Sequence, residues 1–284
     1  MSHIPASVGR WAALREDLGK IPAFFRRDLL ILWSYRTAFF SDWINMLVQV
    51  MVFYFLSNIV PSNRLPEYGG QPTSYIEFVT VAIALTAFVS ISLSRVTSAV
   101  STEQNQGTLE ALLMTPTASS TIQLGWVMYD LLYVPFRTAV FLVLMRVVLG
   151  VTLSPAGILP TVVMFLPFIP FVWGIGLMSA AAILTFRRGQ GLVGIWAVLL
   201  TLTSGAYFPT RYFPGWLQTI AELNPMTRVL NGAREALLGH PDWSLVWSAV
   251  PPLLPLAAVT ITLGALAFRL ALTRERRRGT LGLY

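Results

Sequence analysis

Six long apolar runs restrict what this chain can fold into more than any other feature of its sequence. A helix that crosses a bilayer needs about 20 mostly apolar residues, and each run approaches or exceeds that length. Charged residues make up only 12% of the chain, whereas a soluble domain carries about 25%. The runs lie near residues 37–60, 76–98, 122–149, 158–186, 190–208 and 244–272. The sequence therefore predicts an all-α integral membrane protein with six transmembrane helices.

The distribution of basic residues predicts the orientation of these spans. Lys and Arg are enriched in short cytoplasmic segments of membrane proteins, and an even number of spans puts both termini on one side. On the side of the termini fall Arg10, Arg15, Lys20, Arg26, Arg27, Arg36, Arg95, Arg187, Arg188, Arg269, Arg274, Arg276, Arg277 and Arg278. On the opposite side fall Arg64, Arg211, Arg228 and Arg234. We therefore expect a protein of the cell membrane with both termini in the cytoplasm.

This orientation divides the chain into three parts. Residues 1–36 form a cytoplasmic N-terminal segment, residues 37–272 the transmembrane domain and residues 273–284 a basic cytoplasmic tail. Within the first part, residues 22–35 begin at Pro22 and mix basic with apolar side chains. This mixture is typical of an amphipathic helix that lies in the membrane interface. A cytoplasmic extension of the first span is the alternative.

The composition excludes most catalytic and cofactor-binding functions. The chain has no cysteine, two histidines and a single lysine, Lys20. No thiolate metal site follows from this inventory, and the sequence contains neither a G-x-x-x-x-G-K-[ST] phosphate loop nor H-E-x-x-H. The net charge is +7, but the basic residues lie mainly at the chain ends rather than on one folded face, as nucleic-acid binding requires. We therefore expect no metal, no cofactor on this chain, no nucleic-acid partner and no enzymatic activity of its own.

A short amphipathic helix is predicted on the cytoplasmic side, after the second span. Leu109, Leu112 and Leu113 recur at helical spacing among polar residues, Thr108 stands at the N-cap position and Pro116 follows the helix. Such an apolar stripe must be buried against something. The sequence leaves open whether a partner protein or the chain's own spans cover it.

The outer segment between the fifth and sixth spans is rich in aromatic residues and contains two helix-like stretches, 214–223 and 225–238. Asn224 is a good N-cap, and Pro225 suits a first helical turn. Aromatic side chains such as Trp216 are enriched at the bilayer surface. We expect this segment to dip into, or lie on, the outer leaflet as re-entrant helices.

One charged residue falls near the middle of the third span. An Arg at that depth costs about 2.5 to 3.5 kcal/mol on insertion scales, and Arg137 therefore suggests a polar cavity. Asp130 and Tyr133 lie two turns and one turn earlier on roughly the same helical face. The three predict a polar stripe along a substrate path, or alternatively a structural ion pair or an Arg that reaches a headgroup.

Two separated motifs resemble those of type-2 ABC transporter permeases. The run from Glu103 to Pro116, EQNQGTLEALLMTP, is similar to the family's E-x-x-x-G-T-L-E-x-L-L-x-T-P signature. The family's S-G-x-x-F-P, P-x-W-L and N-P-x-T patterns and a downstream Arg are matched by SGAYFP at 204–209, PGWL at 214–217, NPMT at 224–227 and Arg234. The resemblance covers residues 20–272. Gln104 departs from it, because the family often has Arg there.

The resemblance implies the transmembrane subunit of an exporter that moves a hydrophobic or amphipathic molecule, such as a drug, an antibiotic or a lipid. It implies a second permease copy, membrane lipid around the spans and cytoplasmic ATPase subunits that bind ATP and Mg²⁺. Export of a lipid-linked polysaccharide is the alternative within the family. An ion-coupled secondary transporter is the alternative outside it, although we see none of the internal symmetry typical of that class.

The resemblance also implies roles for particular residues. The coupling helix that contacts the ATPase would comprise Glu103, Gly107, Thr108, Leu109, Glu110, Leu112, Leu113 and Pro116. Arg187 and Arg188 would form a second, smaller cytoplasmic contact, unless they serve only as a topology signal. The outer gate would comprise Phe208, Pro209, Trp216, Asn224 and Pro225.

Overall fold

The computed structural model describes residue 19 and residues 21–34, 36–70, 72–115, 119–186, 190–239 and 243–278. Within these ranges the regular structure is helical, with no β-strand. The α-helices are α1 Ile21–Ser34, α2 Arg36–Ser57, α3 Tyr75–Asn105, α4 Leu109–Met114, α5 Ser119–Leu149, α6 Ile158–Phe186, α7 Gln190–Thr203, α8 Gly215–Leu223, α9 Pro225–Leu238 and α10 Trp243–Arg278.

Four stretches in the described part of the chain are long and apolar enough to cross a membrane: Tyr75–Asn105, Thr121–Leu149, Pro155–Phe186 and Trp243–Glu275. They contain α3, α5, α6 and α10. The first and fifth predicted spans coincide with shorter apolar helical stretches, Trp43–Ser57 and Gly191–Thr203. A 14-residue helix such as α7 rises about 21 Å, against about 30 Å for the hydrocarbon core. By length and composition, the described part of the chain therefore contains four candidate transmembrane helices.

Helix α3 lies at the centre of the structure and is the most buried of the four long helices. It contacts α2, α5, α6, α7 and α9. Its residues Val89 and Leu93 are fully buried in a core that also contains Phe168 and Val172 of α6 and Leu230 of α9. The central position of α3 matters because the predicted coupling segment directly follows its C-terminal end.

Helices α6 and α10 pack along each other over most of their length. At their closest approach, a Cβ atom built on Gly264 would lie 2.3 Å from the carbonyl oxygen of Gly174. Any side chain larger than hydrogen at these positions would force the two helices apart. Small residues at a helix crossing are typical of membrane proteins, because they let backbones approach closely.

Several helices end at places other than the predicted span ends. α3 continues to Asn105 and α10 to Arg278, so both extend past the apolar runs into polar sequence. α7 ends at Thr203, inside the predicted fifth span, because Gly205 adopts a φ of +75°. The amphipathic N-terminal segment forms α1, which packs against α5.

The outer segment forms two short helices, α8 and α9. The predicted N-cap of α9 is confirmed, because the Asn224 side-chain oxygen accepts a hydrogen bond from the backbone N–H of Met226 at 2.9 Å. Pro225 occupies the first turn of α9 and is buried. These helices pack against α3, α6 and α7.

Candidate functional site

The predicted coupling segment is a turn followed by a short helix, directly after the C-terminal end of α3. Gly107 adopts a φ of +69°, a left-handed conformation that costs other residues about 1–2 kcal/mol. Thr108 precedes α4, but its side chain does not cap that helix. Instead, its hydroxyl group donates a hydrogen bond to the Glu103 carboxylate at 2.5 Å. This hydrogen bond therefore holds the turn against the end of α3.

The apolar stripe of α4 faces the chain's own membrane helices. Leu109 is 1% exposed and packs in a cluster with Val100 of α3 and Trp126 of α5. Leu112 packs against the same cluster from its edge. Of the two ways to bury this stripe, the structure therefore shows packing under the protein's own spans for Leu109 and Leu112.

The opposite face of α4 is exposed. Met114 is 75% exposed, and Glu110 and Ala111 are also exposed, as are Gly107 and Thr108 in the preceding turn. This surface is available to another protein without any rearrangement of the membrane helices. α4 thus has one face packed against the long apolar helices and one face that is exposed.

Glu103 makes its contacts within the chain. Its carboxylate lies 2.9 Å from Nη1 of Arg27 on α1 and accepts the Thr108 hydrogen bond. It therefore joins α1 to the coupling segment, whereas the resemblance suggested a contact with the partner. Of the other predicted contacts, the side chain of Leu113 and all of Pro116, Arg187 and Arg188 lie outside the described part of the structure.

A cavity of about 620 Å³ lies among α2, α3, α5 and α7. Arg137 of α5, which the sequence analysis placed on a candidate substrate path, is one of the residues that line it. Its wall is both polar and apolar, and is formed by Asn45, Met46, Gln49, Ile83, Thr86, Ala87, Ser90, Ile91, Arg137, Ala197, Val198, Thr201, Leu202 and Tyr207. Such a wall can bind a molecule that has both apolar and hydrogen-bonding parts.

The other two residues of the predicted polar stripe do not line this cavity. Asp130 lies 2.9 Å from Nε of Arg95 on α3. Tyr133 stacks on the ring of Tyr129, with 5.3 Å between the ring centroids. Helical spacing places the three residues on one side of α5, but Asp130 contacts Arg95 and only Arg137 of the three lines the cavity.

The predicted outer-gate residues divide into a buried anchor and an exposed aromatic pair. The Asn224 side-chain amide donates to the Leu200 carbonyl oxygen and to the Thr203 hydroxyl group, both at 2.8 Å. Asn224 therefore links the start of α9 to the end of α7 by hydrogen bonds. Phe208 and Trp216 are exposed, whereas Pro209, between them in sequence, is buried.

The sequence motifs include Arg234 without assigning it a role, and the structure shows that it is a buried structural residue. It is 1% exposed and donates hydrogen bonds to the carbonyl oxygens of Phe78, Gly205 and Ala206 at 3.1, 3.1 and 2.8 Å. A signal was present, because Arg234 lies four residues after the apolar Leu230 and thus on the buried face of α9. Nearby, burial raises the pKa of Tyr68, while Arg234 acts in the opposite direction.

Comparison with known proteins identifies related sequences. A family model described as ABC-2 type transporter matches residues 20–238. The probable multidrug ABC transporter permease YbhR of Escherichia coli strain K12 is 23% identical over 205 residues, which cover 70% of this chain and 54% of that protein. The linearmycin resistance permease protein LnrN of Bacillus subtilis strain 168 is 29% identical over 116 residues, covering 41% of this chain and 29% of that protein. The chain thus matches about half the length of YbhR and less of LnrN.

Proposed function

Because this chain belongs to the ABC-2 type transporter family, we propose that it is the transmembrane permease subunit of an ATP-driven exporter. The ATP and Mg²⁺ bind to separate cytoplasmic ATPase subunits, and this chain binds neither. A second permease copy, identical or related, completes the transport unit. Both termini lie in the cytoplasm, and α2 and α7 complete a set of six spans in the cell membrane.

The observation that carries this proposal is the two-sided placement of α4. Leu109 anchors α4 to the core formed by the long apolar helices, and Met114 on its other face is exposed. ATP binding can shift the transport path only if the ATPase interacts differently with two conformations of the permease. A helix that is fixed to the spans and exposed to the partner can transmit that difference directly.

The cavity next to Arg137 is the proposed substrate path. Its mixed wall fits a hydrophobic or amphipathic molecule, and the names of YbhR and LnrN refer to multidrug transport and linearmycin resistance. α2 and α7, which form part of the wall, also expose large apolar side chains such as Ile44, Phe55 and Ile195. In the proposed assembly the second permease copy covers part of this apolar surface, and lipid covers the remainder.

Purification from native membranes tests the proposal. The tagged protein is extracted in mild detergent, and mass spectrometry then identifies what accompanies it. We expect an ATPase with Walker motifs in a near one-to-one ratio to the permease. Reproducible absence of such a protein from an intact, folded preparation would favour an ion-coupled transporter instead.

A further inference from the structure

Five charged side chains from three helices form a continuous chain of ionic contacts. Arg27 of α1 lies 2.9 Å from Glu103 of α3 and 3.1 Å from its neighbour Asp28. Asp28 pairs in turn with Arg95 of α3, and Nε of Arg95 lies 2.9 Å from Asp130 of α5. The chain of contacts thus connects α1, α3 and α5.

The acidic members of this network are largely removed from solvent. The side chains of Asp28, Glu103 and Asp130 are 7%, 12% and 10% exposed, respectively. Exposed ion pairs contribute little to structure, but a buried charge that loses its partner is strongly destabilising. The network therefore restricts how α1 can move relative to α3 and α5.

Glu103 also belongs to the coupling segment. The backbone N–H of Thr108 donates to the Glu103 carbonyl oxygen at 3.0 Å, and the Thr108 hydroxyl group donates to its carboxylate. One residue therefore receives contacts from α1 on one side and from the turn before α4 on the other. A displacement of α4 must therefore carry α1 with it, break the Thr108–Glu103 hydrogen bonds or break the Arg27–Glu103 pair.

We propose that Arg27 and Glu103 are positioning residues that make α1 and the coupling helix move as one unit. The inference rests on the proposed function, because it assigns the pair a role in transmitting the motion that the ATPase drives. It extends that function by including α1 in the moving part. The ATPase thereby acts on a helix at the membrane surface as well as on the spans.

Distance measurement between two spin labels tests this proposal. The natural chain has no cysteine, so Arg26→Cys and Gln106→Cys, both at exposed positions, introduce the only labelling sites. The permease is studied in nanodiscs with its ATPase, without nucleotide and with trapped ADP·vanadate. We expect one narrow separation between the labels, and the same separation in both states.

Variants of the pair separate positioning from a general loss of structure. Arg27→Gln and Glu103→Gln remove one charge each and should broaden or shift the separation, most clearly in the trapped state. Arg27→Lys retains the charge and should restore the narrow distribution. Glu67→Gln, at an exposed outer position, removes a carboxylate elsewhere and should change nothing.

Two results would overturn the proposal. The first is a separation between the labels that changes on nucleotide trapping when Arg27 and Glu103 are both intact. The second is a separation in both the Arg27→Gln and the Glu103→Gln variant that equals that of the protein with the intact pair. Either result would come from a complex that hydrolyses ATP, so the proposed function would stand. A preparation without ATP hydrolysis or a bound ATPase would instead overturn the proposed function, and with it the role of the pair in coupling.

Discussion

The guanidinium group of Arg234 lies 3.5 Å from the ring centroid of Phe78, and its Nε donates a hydrogen bond to the Phe78 backbone carbonyl oxygen at 3.1 Å. This contact joins α9 to the first turn of α3. Two further hydrogen bonds from Arg234 hold the backbone at Gly205 and Ala206. A single buried cation therefore connects three segments on the outer side of the protein.

Replacement of this cation should destabilise the outer side. Arg234→Met retains much of the side-chain volume but leaves buried carbonyl oxygens without donors, each at a cost of about 1–3 kcal/mol. We expect a clearly lower unfolding temperature in detergent, followed by intrinsic tryptophan fluorescence. Arg228→Met is the matched control, because Arg228 is exposed on the same helix. Equal unfolding temperatures for the two variants would refute the assigned role of Arg234.

The turn after α7 should tolerate no side chain at position 205. Gly205 has a φ of +75°, and an added Cβ atom would lie 2.6 Å from Cγ2 of Thr210. We expect Gly205→Ala to lower the free energy of unfolding by about 1–2 kcal/mol because of backbone strain. The clash with Thr210 should lower it further. Thr210→Ser in the same chain removes Cγ2 and should restore the stability lost to the clash, but not the stability lost to backbone strain. The measurement is the unfolding temperature of the single and double variants, with Gly215→Ala, at an unobstructed position, as control.

The two faces of α4 should respond differently to an introduced charge. Leu109→Asp places an unpaired carboxylate in the core cluster and should greatly reduce the yield of folded protein. Met114→Asp changes an exposed side chain and should leave yield and unfolding temperature unchanged while lowering ATP-driven transport. Size-exclusion profiles and ATPase-dependent uptake of a fluorescent amphipathic dye into inverted vesicles measure these outcomes. Normal transport by Met114→Asp would argue against contact between this face and the ATPase.

The cavity beside Arg137 should be accessible to water-soluble reagents. Ser90 lines the cavity and is exposed, whereas its neighbour Val89 is fully buried and does not line the cavity. In the natural cysteine-free background, Ser90→Cys should react with a charged thiol reagent much faster than Val89→Cys. Mass spectrometry of the intact protein measures the rate of labelling. Equal, slow labelling at both positions would show that the cavity is closed to water.

Local patterns in the sequence predicted part of this structure well. The capping residue Asn224 depends on neighbours along the chain, and α9 forms over the predicted stretch 225–238. The apolar composition also predicted membrane helices, because length and hydropathy decide that property. The described part of the chain has four candidate membrane helices, and α7 is short because the backbone turns at Gly205.

The ionic contacts could not be predicted in the same way. Helical spacing places Asp130 on a side of α5, but it does not say that Arg95 of another helix will lie opposite. The same limit applies to Glu103, which contacts Arg27 across a long interval of sequence. Periodicity also predicted an apolar stripe on α4 without showing what covers it, and the packing of Leu109 under α3 and α5 decides that question.

The most direct test of the central claim is site-specific photo-crosslinking in living cells. A photo-reactive amino acid replaces Met114 on the exposed face of α4, or Leu132 on an exposed part of α5, and the crosslinked products are identified by mass spectrometry. A permease driven through α4 should crosslink to a Walker-motif ATPase from position 114 and not from position 132. Crosslinks from position 114 that never include an ATPase would contradict the account.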